Sequence, residues 1–131
     1  MRECNKCEQF WLGFSRNYAP QEFIEGHRAS AVWIVGLNPA IDVRGDYRTT
    51  DDLKTYFDDE NNVHGYFKEF KRVSPRLYAL LGKKGGVART DLVKCHSKTW
   101  PPNNMNGKDC ATVVKNCRDY LQQQPSVVSH K

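Results

Sequence analysis

The run Ala31-Val32-Trp33-Ile34-Val35-Gly36-Leu37-Asn38-Pro39-Ala40 (AVWIVGLNPA) decides how the chain is read. Ala31 to Gly36 is a short β-branched and aromatic stretch without a charge, and its uniform apolarity fits a parallel strand buried on both faces. GLNPA then turns the chain sharply. Pro39 confines Asn38 to extended or turn geometry and Gly36 permits a close backbone approach, so the strand end should present a compact polar loop.

Working outward, VARTDLVKC (residues 87–95) reads as a second strand, with Val87, Leu92 and Val93 as its apolar content. Between the two strands Phe67, Phe70 and Val73 recur every three residues, which predicts a helical face. Ser74-Pro75 breaks that helix and restarts another, with Ser74 as N-cap, Pro75 at the first helical position, and Leu77, Leu80 and Leu81 inward. A third helix is expected from about Lys108 to Gln123, with Ala111, Val114, Cys117 and Leu121 on one stripe. SVVSHK (126–131) reads as the start of another strand. The first thirty residues read as an irregular lead-in, IDVRGDYRTTDD (41–52) as an exposed polar loop, and HSKTWPPNNMNG (96–107) as a surface loop. Strand, helix, helix, strand, helix and an incipient strand predict an α/β fold with a parallel sheet.

The chain has 131 residues, 39% apolar and 27% charged, enough for one domain over 1–131 and not for two. No apolar run approaches the length of a membrane span, and Met-Arg-Glu-Cys lacks the apolar stretch of a secretion signal, so a cytoplasmic, non-secreted protein is expected. Twenty basic against fifteen acidic residues give +5, a field that favours a polyanion, as it does in many enzymes of small anionic metabolites.

Five cysteines in such a chain, an odd number, argue against a disulfide scaffold. Cys4-Asn5-Lys6-Cys7 lets two thiolates face one metal from a single turn. Cys95 follows the second strand, and Cys110 and Cys117 lie two helical turns apart. Four of the five suffice for a tetrahedral or cubane site, and the spacing does not choose between zinc and iron. A redox dithiol and unliganded buried thiols are the competing readings.

In chain order, Cys4-x2-Cys7, VWIVGLNPA, RTDLVKC, a proline-bearing loop and NCRDYL resemble the uracil-DNA glycosylase superfamily, most of all its iron-sulfur branch, over residues 4 to about 121. The resemblance implies a three-layer α/β sandwich with a mainly parallel sheet, of which this chain holds an incomplete part relative to the family. It implies a monomeric DNA-repair glycosylase that hydrolyses the N-glycosidic bond of uracil or a related damaged base in DNA, single-stranded or uracil-containing. It also implies a 4Fe-4S cluster, with zinc as the alternative, on Cys4, Cys7, Cys95 and Cys117; the surroundings NCRDYL favour Cys117 over Cys110. The family's late histidine loop has no counterpart, since His130 stands in a different context. A non-catalytic nucleic-acid-binding relative with a cysteine-ligated metal centre is the alternative.

By the same resemblance, the loop Gly36 to Ala40 positions the attacking water. Asn38 would hold it through its carbonyl, orienting rather than deprotonating. Asp42 is a second catalytic candidate. Gly36, Leu37, Tyr47 and Asp91 are expected to bind the base, Tyr47 by stacking. Asp91 stands where the family usually has an asparagine, and a carboxylate accepts hydrogen bonds but donates only when protonated. Arg44, Arg48 and Lys98, with Lys94, His96 and Trp100, flank the carboxyl ends of the strands and are expected to contact DNA.

Overall fold

A computed structural model of the chain describes residues 2–39, 48–102 and 104–124. The elements are β1 (Arg2–Cys4), β2 (Phe14–Arg16), β3 (Val32–Gly36), α1 (Thr50–Lys54), α2 (Gly65–Val73), α3 (Pro75–Ala79), β4 (Val87–Asp91) and α4 (Gly107–Gln122), with single 3-10 turns at Glu8–Phe10 and Pro20–Glu22. They form a small mixed α/β arrangement. β1 and β2 make an antiparallel pair, and β3 and β4 make a parallel one in the register Val32 with Val87 through Gly36 with Asp91. Pairing continues past the strands, where the Leu92 and Val93 amides donate to the Gly36 and Leu37 carbonyls at 2.9 and 2.8 Å. The two loops leaving the strand ends are therefore held side by side.

Local chemistry sets the helix boundaries. Ser74 Oγ accepts from the Leu77 amide at 3.2 Å, and Pro75 takes the first helical position, where a missing N–H costs nothing. Asn106 and Asp109 form a reciprocal capping box at the start of α4, closing two amides that the helix itself leaves open. The sixteen residues of α4 bury Val113 and Cys117. One core gathers Leu12, Phe14, Tyr18, Phe23, Leu53, Val93 and Val113; a second gathers Val63, Phe67, Leu81 and Val87. β4 and its extension supply residues to both cores, which is why Ala88, Thr90 and Asp91 have no accessible surface.

Four expectations are corrected. The lead-in is not irregular: residues 12 to 18 alternate buried and exposed, the period of a strand, and the pattern is masked in the sequence because Arg16 occupies a buried position. The polar stretch before residue 54 contains α1, started by a capping box between Thr49 and Asp52 and anchored by Leu53, which is fully buried. Leu77 and Leu80 are exposed and only Leu81 turns inward, because α3 ends after five residues and Leu81 bridges to Val87. Finally, β3 is not covered on both faces: Val32 and Val35 remain 42% and 50% exposed, and the buried strand is β4. The expected strand at 126–131 lies outside the described residues. Among those residues, no helix is long and apolar enough to cross a membrane.

The register leaves no room at Gly36, where an added Cβ would stand 2.3 Å from Asp91 Oδ1 and 2.9 Å from Arg89 Nη2. Gly36→Ala is expected to destabilise the protein by about 2 kcal/mol or more, as overpacking does. Urea unfolding of the two proteins, compared at constant m-value, checks it.

Candidate functional site

The carboxyl ends of β3 and β4 carry the densest group of buried polar side chains. Arg89 Nη1 reaches Glu25 Oε2 at 3.2 Å and its Nη2 reaches Asp91 Oδ1 at 2.5 Å, while Arg48 Nη1 reaches Glu25 Oε1 at 2.9 Å. The order of charges is Arg48, Glu25, Arg89, Asp91, alternating in sign, and the aromatic faces of Phe23, Tyr56 and Phe67 lie against the two guanidiniums at 5.6 to 6.0 Å. Two atoms of this chain of charges are left over: Arg89 Nε, a donor, and Asp91 Oδ2, an acceptor, are buried without a partner among the described residues. Burial raises the Asp91 carboxyl to about 6, outweighing the Arg89 charge that opposes it, with Glu25 adding to the rise.

Asn38 stands on the neighbouring strand end. Its amide donates to Ser97 Oγ at 2.8 Å and to the Pro39 carbonyl at 3.2 Å. Both amide hydrogens are thereby committed, and Oδ1 is the part of the side chain with no hydrogen bond among the described residues. Ser97 Oγ in turn donates a hydrogen bond to the Thr99 carbonyl at 2.7 Å, so the loops after β3 and β4 are tied by one continuous chain of bonds. His96 lies next to Ser97, with Nδ1 3.0 Å from Arg16 Nη2. A guanidinium only donates, so Nδ1 accepts and the ring's proton sits on Nε2. Burial and the Arg16 charge hold this imidazole below its ordinary range.

The structure brings Gly36, Leu37, Asn38 and Asp91 together at one end of the parallel pair, with Leu37 59% exposed. Lys98 is exposed on the loop after β4. Arg48 is held on Glu25 beneath the site. Lys94, expected to contact phosphate, is instead buried, its Nζ donating to Thr90 Oγ1, the Asp91 carbonyl and Gln124 Oε1 at 2.7, 2.5 and 2.9 Å. Trp100 packs partly buried against the first core. Asp42, Arg44 and Tyr47 lie outside the described residues.

The expected metal centre, iron-sulfur or zinc, is corrected. Cys7, Cys95 and Cys117 are buried in the first core with Cys4 packed against it, yet among the described residues no group of three or more His, Cys, Asp or Glu side chains is arranged to hold a metal ion. The sulfurs have protein partners instead. Cys4 Sγ lies 3.4 Å from the Tyr120 hydroxyl, and Cys117 and Cys7 accept from the Lys94 amide and Asn116 Nδ2, each at 3.5 Å. Hydrogen bonds from Cys117 and Cys95 favour the charged form of Cys7, and the same bonds, with burial, hold those two as neutral thiols. A ligand set needs several thiolates around one point, whereas the hydrogen bonds to Cys7 and burial push the Cys95 and Cys117 thiols up. Cys110 is half-buried and outside the group.

Sequence reasoning passed over two features. Gln124 is fully buried and ties the end of α4 to the Phe23 carbonyl at 2.8 Å and to Thr90 and Lys94. Trp11, inside the supposed lead-in, is 97% exposed; its position between Phe10 and Leu12, both turned toward the core, is the pattern that signals it. Comparisons with family models, curated proteins and solved structures return no match.

Two measurements test the site. Because the folded Asp91 pKa lies above its ordinary 3.8, the protonated group favours folding below about pH 4, and that contribution is lost as pH rises through about 6. Wild type should therefore lose of order 3 kcal/mol relative to Asp91→Asn between pH 4 and 7, read from denaturation curves at each pH. For the thiols, a disulfide reagent added to native protein should modify Cys110 and Cys4 first, and Cys7, Cys95 and Cys117 only on unfolding, as mass spectrometry of the labelled peptides would show.

Proposed function

We propose that this chain is a glycosylase-type hydrolase that removes uracil or a related damaged base from DNA. The observation that carries the reading is that the carboxyl ends of two parallel strands carry both Asn38, whose amide hydrogens are committed, and the buried carboxyl of Asp91, which has an unpartnered oxygen among the described residues. Ligands of open α/β sheets bind at this end of the strands. The parallel pairing of β3 with β4 supports the finer view of a three-layer sandwich with a mainly parallel sheet.

In this reading a flipped nucleotide occupies the strand ends. Asn38 Oδ1 accepts a hydrogen bond from the attacking water and aims its lone pair at the sugar carbon; the new C–O bond forms as the glycosidic C–N bond breaks and the base leaves with the bonding pair, the water's proton goes to solvent because an amide is too weak a base to take it, and the contribution of Asn38 is positional. The bonds to Ser97 and Pro39 keep that oxygen from swapping with the amide nitrogen. Asp91 faces the base. With Oδ1 held by Arg89, the protonated carboxyl offers the Oδ2 proton as a donor to the uracil edge, where negative charge develops on the leaving base. When ionised it has acceptors only, which is the specific observation favouring the second reading, a nucleic-acid-binding protein without catalysis.

Single-stranded DNA carrying one uracil, incubated with the protein at pH 5 and pH 8 and then cleaved with alkali, separates the two. Excision should be faster at pH 5, fall by about a hundredfold in Asn38→Ala, and lose its pH dependence in Asp91→Asn, whose amide supplies the donor at any pH. Absence of product above the Asn38→Ala level at both pH values would sink the catalytic reading.

A further inference from the structure

Trp11 is the most exposed large apolar side chain among the described residues, with 97% of its surface in water. It is also backbone-strained: φ is +58° and ψ +24°, the left-handed region that a bulky side chain rarely adopts. The turn holding it is well bonded, with the Trp11 amide on the Glu8 carbonyl at 2.9 Å and the Leu12 amide on the Cys7 carbonyl at 3.3 Å. Phe10 and Leu12 on either side pack into the core, and the turn projects the indole between them into solvent. Apolar burial does not account for such an arrangement, and strain of this kind gathers at functional sites.

The indole borders a cleft of about 740 Å³ whose far wall is the loop after β4, including His96, Ser97 and Lys98, with Asn104 and Asp109 at one end. That volume is in the range of ligand sites. Lys98 is exposed and cationic, and His96 is neutral with its proton on Nε2. Asp109, the carboxylate of the wall, is committed to the Asn106 amide in the α4 capping box. The cleft therefore offers an anion a cation and a donor, and offers a flat aromatic group an unobstructed indole face. Ser97 belongs both to this wall and to the bond that fixes Asn38, so one side chain links the cleft to the strand-end site.

We infer that this cleft is a binding site for single-stranded DNA flanking the flipped nucleotide, with a neighbouring base stacked on Trp11 and a backbone phosphate on Lys98. The occupant is single-stranded because an indole on a surface meets the face of a base only when that base is unstacked from its own strand. Aromatic stacking with one or two cations beside it is sequence-tolerant, which suits a protein that selects its base elsewhere. The inference rests on the glycosylase or nucleic-acid-binding reading for its partner, but not on catalysis.

Binding of a uracil-free oligothymidylate of about twelve nucleotides to the full chain, followed by anisotropy and by tryptophan emission, tests it. Wild type should bind with quenching of the red, water-exposed part of the emission. Trp11→Ala should bind about 5- to 150-fold more weakly, the range of one lost base stack. Trp11→Phe should keep affinity within a few-fold while losing the quench, and this isolates Trp11 from Trp33 and Trp100. Lys98→Gln should lower the slope of log affinity against log salt by about one. Equal far-ultraviolet circular dichroism among the variants establishes that the fold is kept. Failure of wild type to bind, unquenched emission at saturation, or Trp11→Ala binding within twofold of wild type would overturn the inference. Retained Trp11-dependent binding without uracil excision would overturn catalysis alone.

Discussion

Gly36 opposite Asp91 is the contact on which the strand-end arrangement depends. A parallel pair puts each residue against a fixed partner, and here the partner of a residue without a side chain is one whose carboxyl must fold back over the neighbouring backbone. That close approach buries Asp91, brings it onto Arg89, and through Glu25 reaches Arg48. A slip of one residue would move every side chain of β4 to the other face and break the charge chain at each link. Register, electrostatics and the position of Asn38 are therefore one constraint seen from three sides.

A second polar assembly closes the other side of β4. Lys94 is fully buried, and its three donors meet three acceptors, Thr90 Oγ1, the Asp91 carbonyl and Gln124 Oε1. Burial nevertheless lowers its pKa to about 8. The complete set of bonds makes a buried lysine tolerable, since the cost of an unpaired one exceeds what any single apolar contact returns. Gln124 Nε2 donates to the Phe23 carbonyl, so the end of α4, the segment that leads to β3, and β4 meet at one amide. The thiol core lies just beyond, joined to it where the Lys94 amide donates to Cys117. Around β4 the interior is thus specified by hydrogen bonds as much as by hydrophobic packing, and its alternatives are limited accordingly.

Much of this was legible where a residue acts through its own backbone or its near neighbours. Ser74-Pro75 starts α3, Asn106 and Asp109 start α4, and the apolar run from Val32 makes a parallel strand, because caps, ring constraints and β-branching operate within a few residues. The capping box at Thr49 was equally local but was hidden by the charged residues around it. Burial was less legible. Leu77 and Leu80 satisfy a helical stripe and still face water, since five residues of α3 do not present a full face to anything, while Arg16, Glu25, Lys94 and Gln124 are buried against their type because each found a partner far away in sequence.

What the sequence by itself determined is the α/β order of the chain from β3 onward, the turn at Asn38-Pro39 and the gathering of polar residues after each of the two parallel strands, all consequences of short-range stereochemistry. The tertiary structure alone decided which of those polar groups remain available. Asn38 is fixed through Ser97 fifty-nine positions away, Arg48 is engaged by Glu25, Lys94 is consumed in the interior, the buried sulfurs have protein partners and among the described residues no metal centre is arranged, and Trp11 is left in solvent. Whether a donor or an acceptor is free depends on every other group that reaches it, and those groups come from parts of the chain that only folding brings within hydrogen-bond distance.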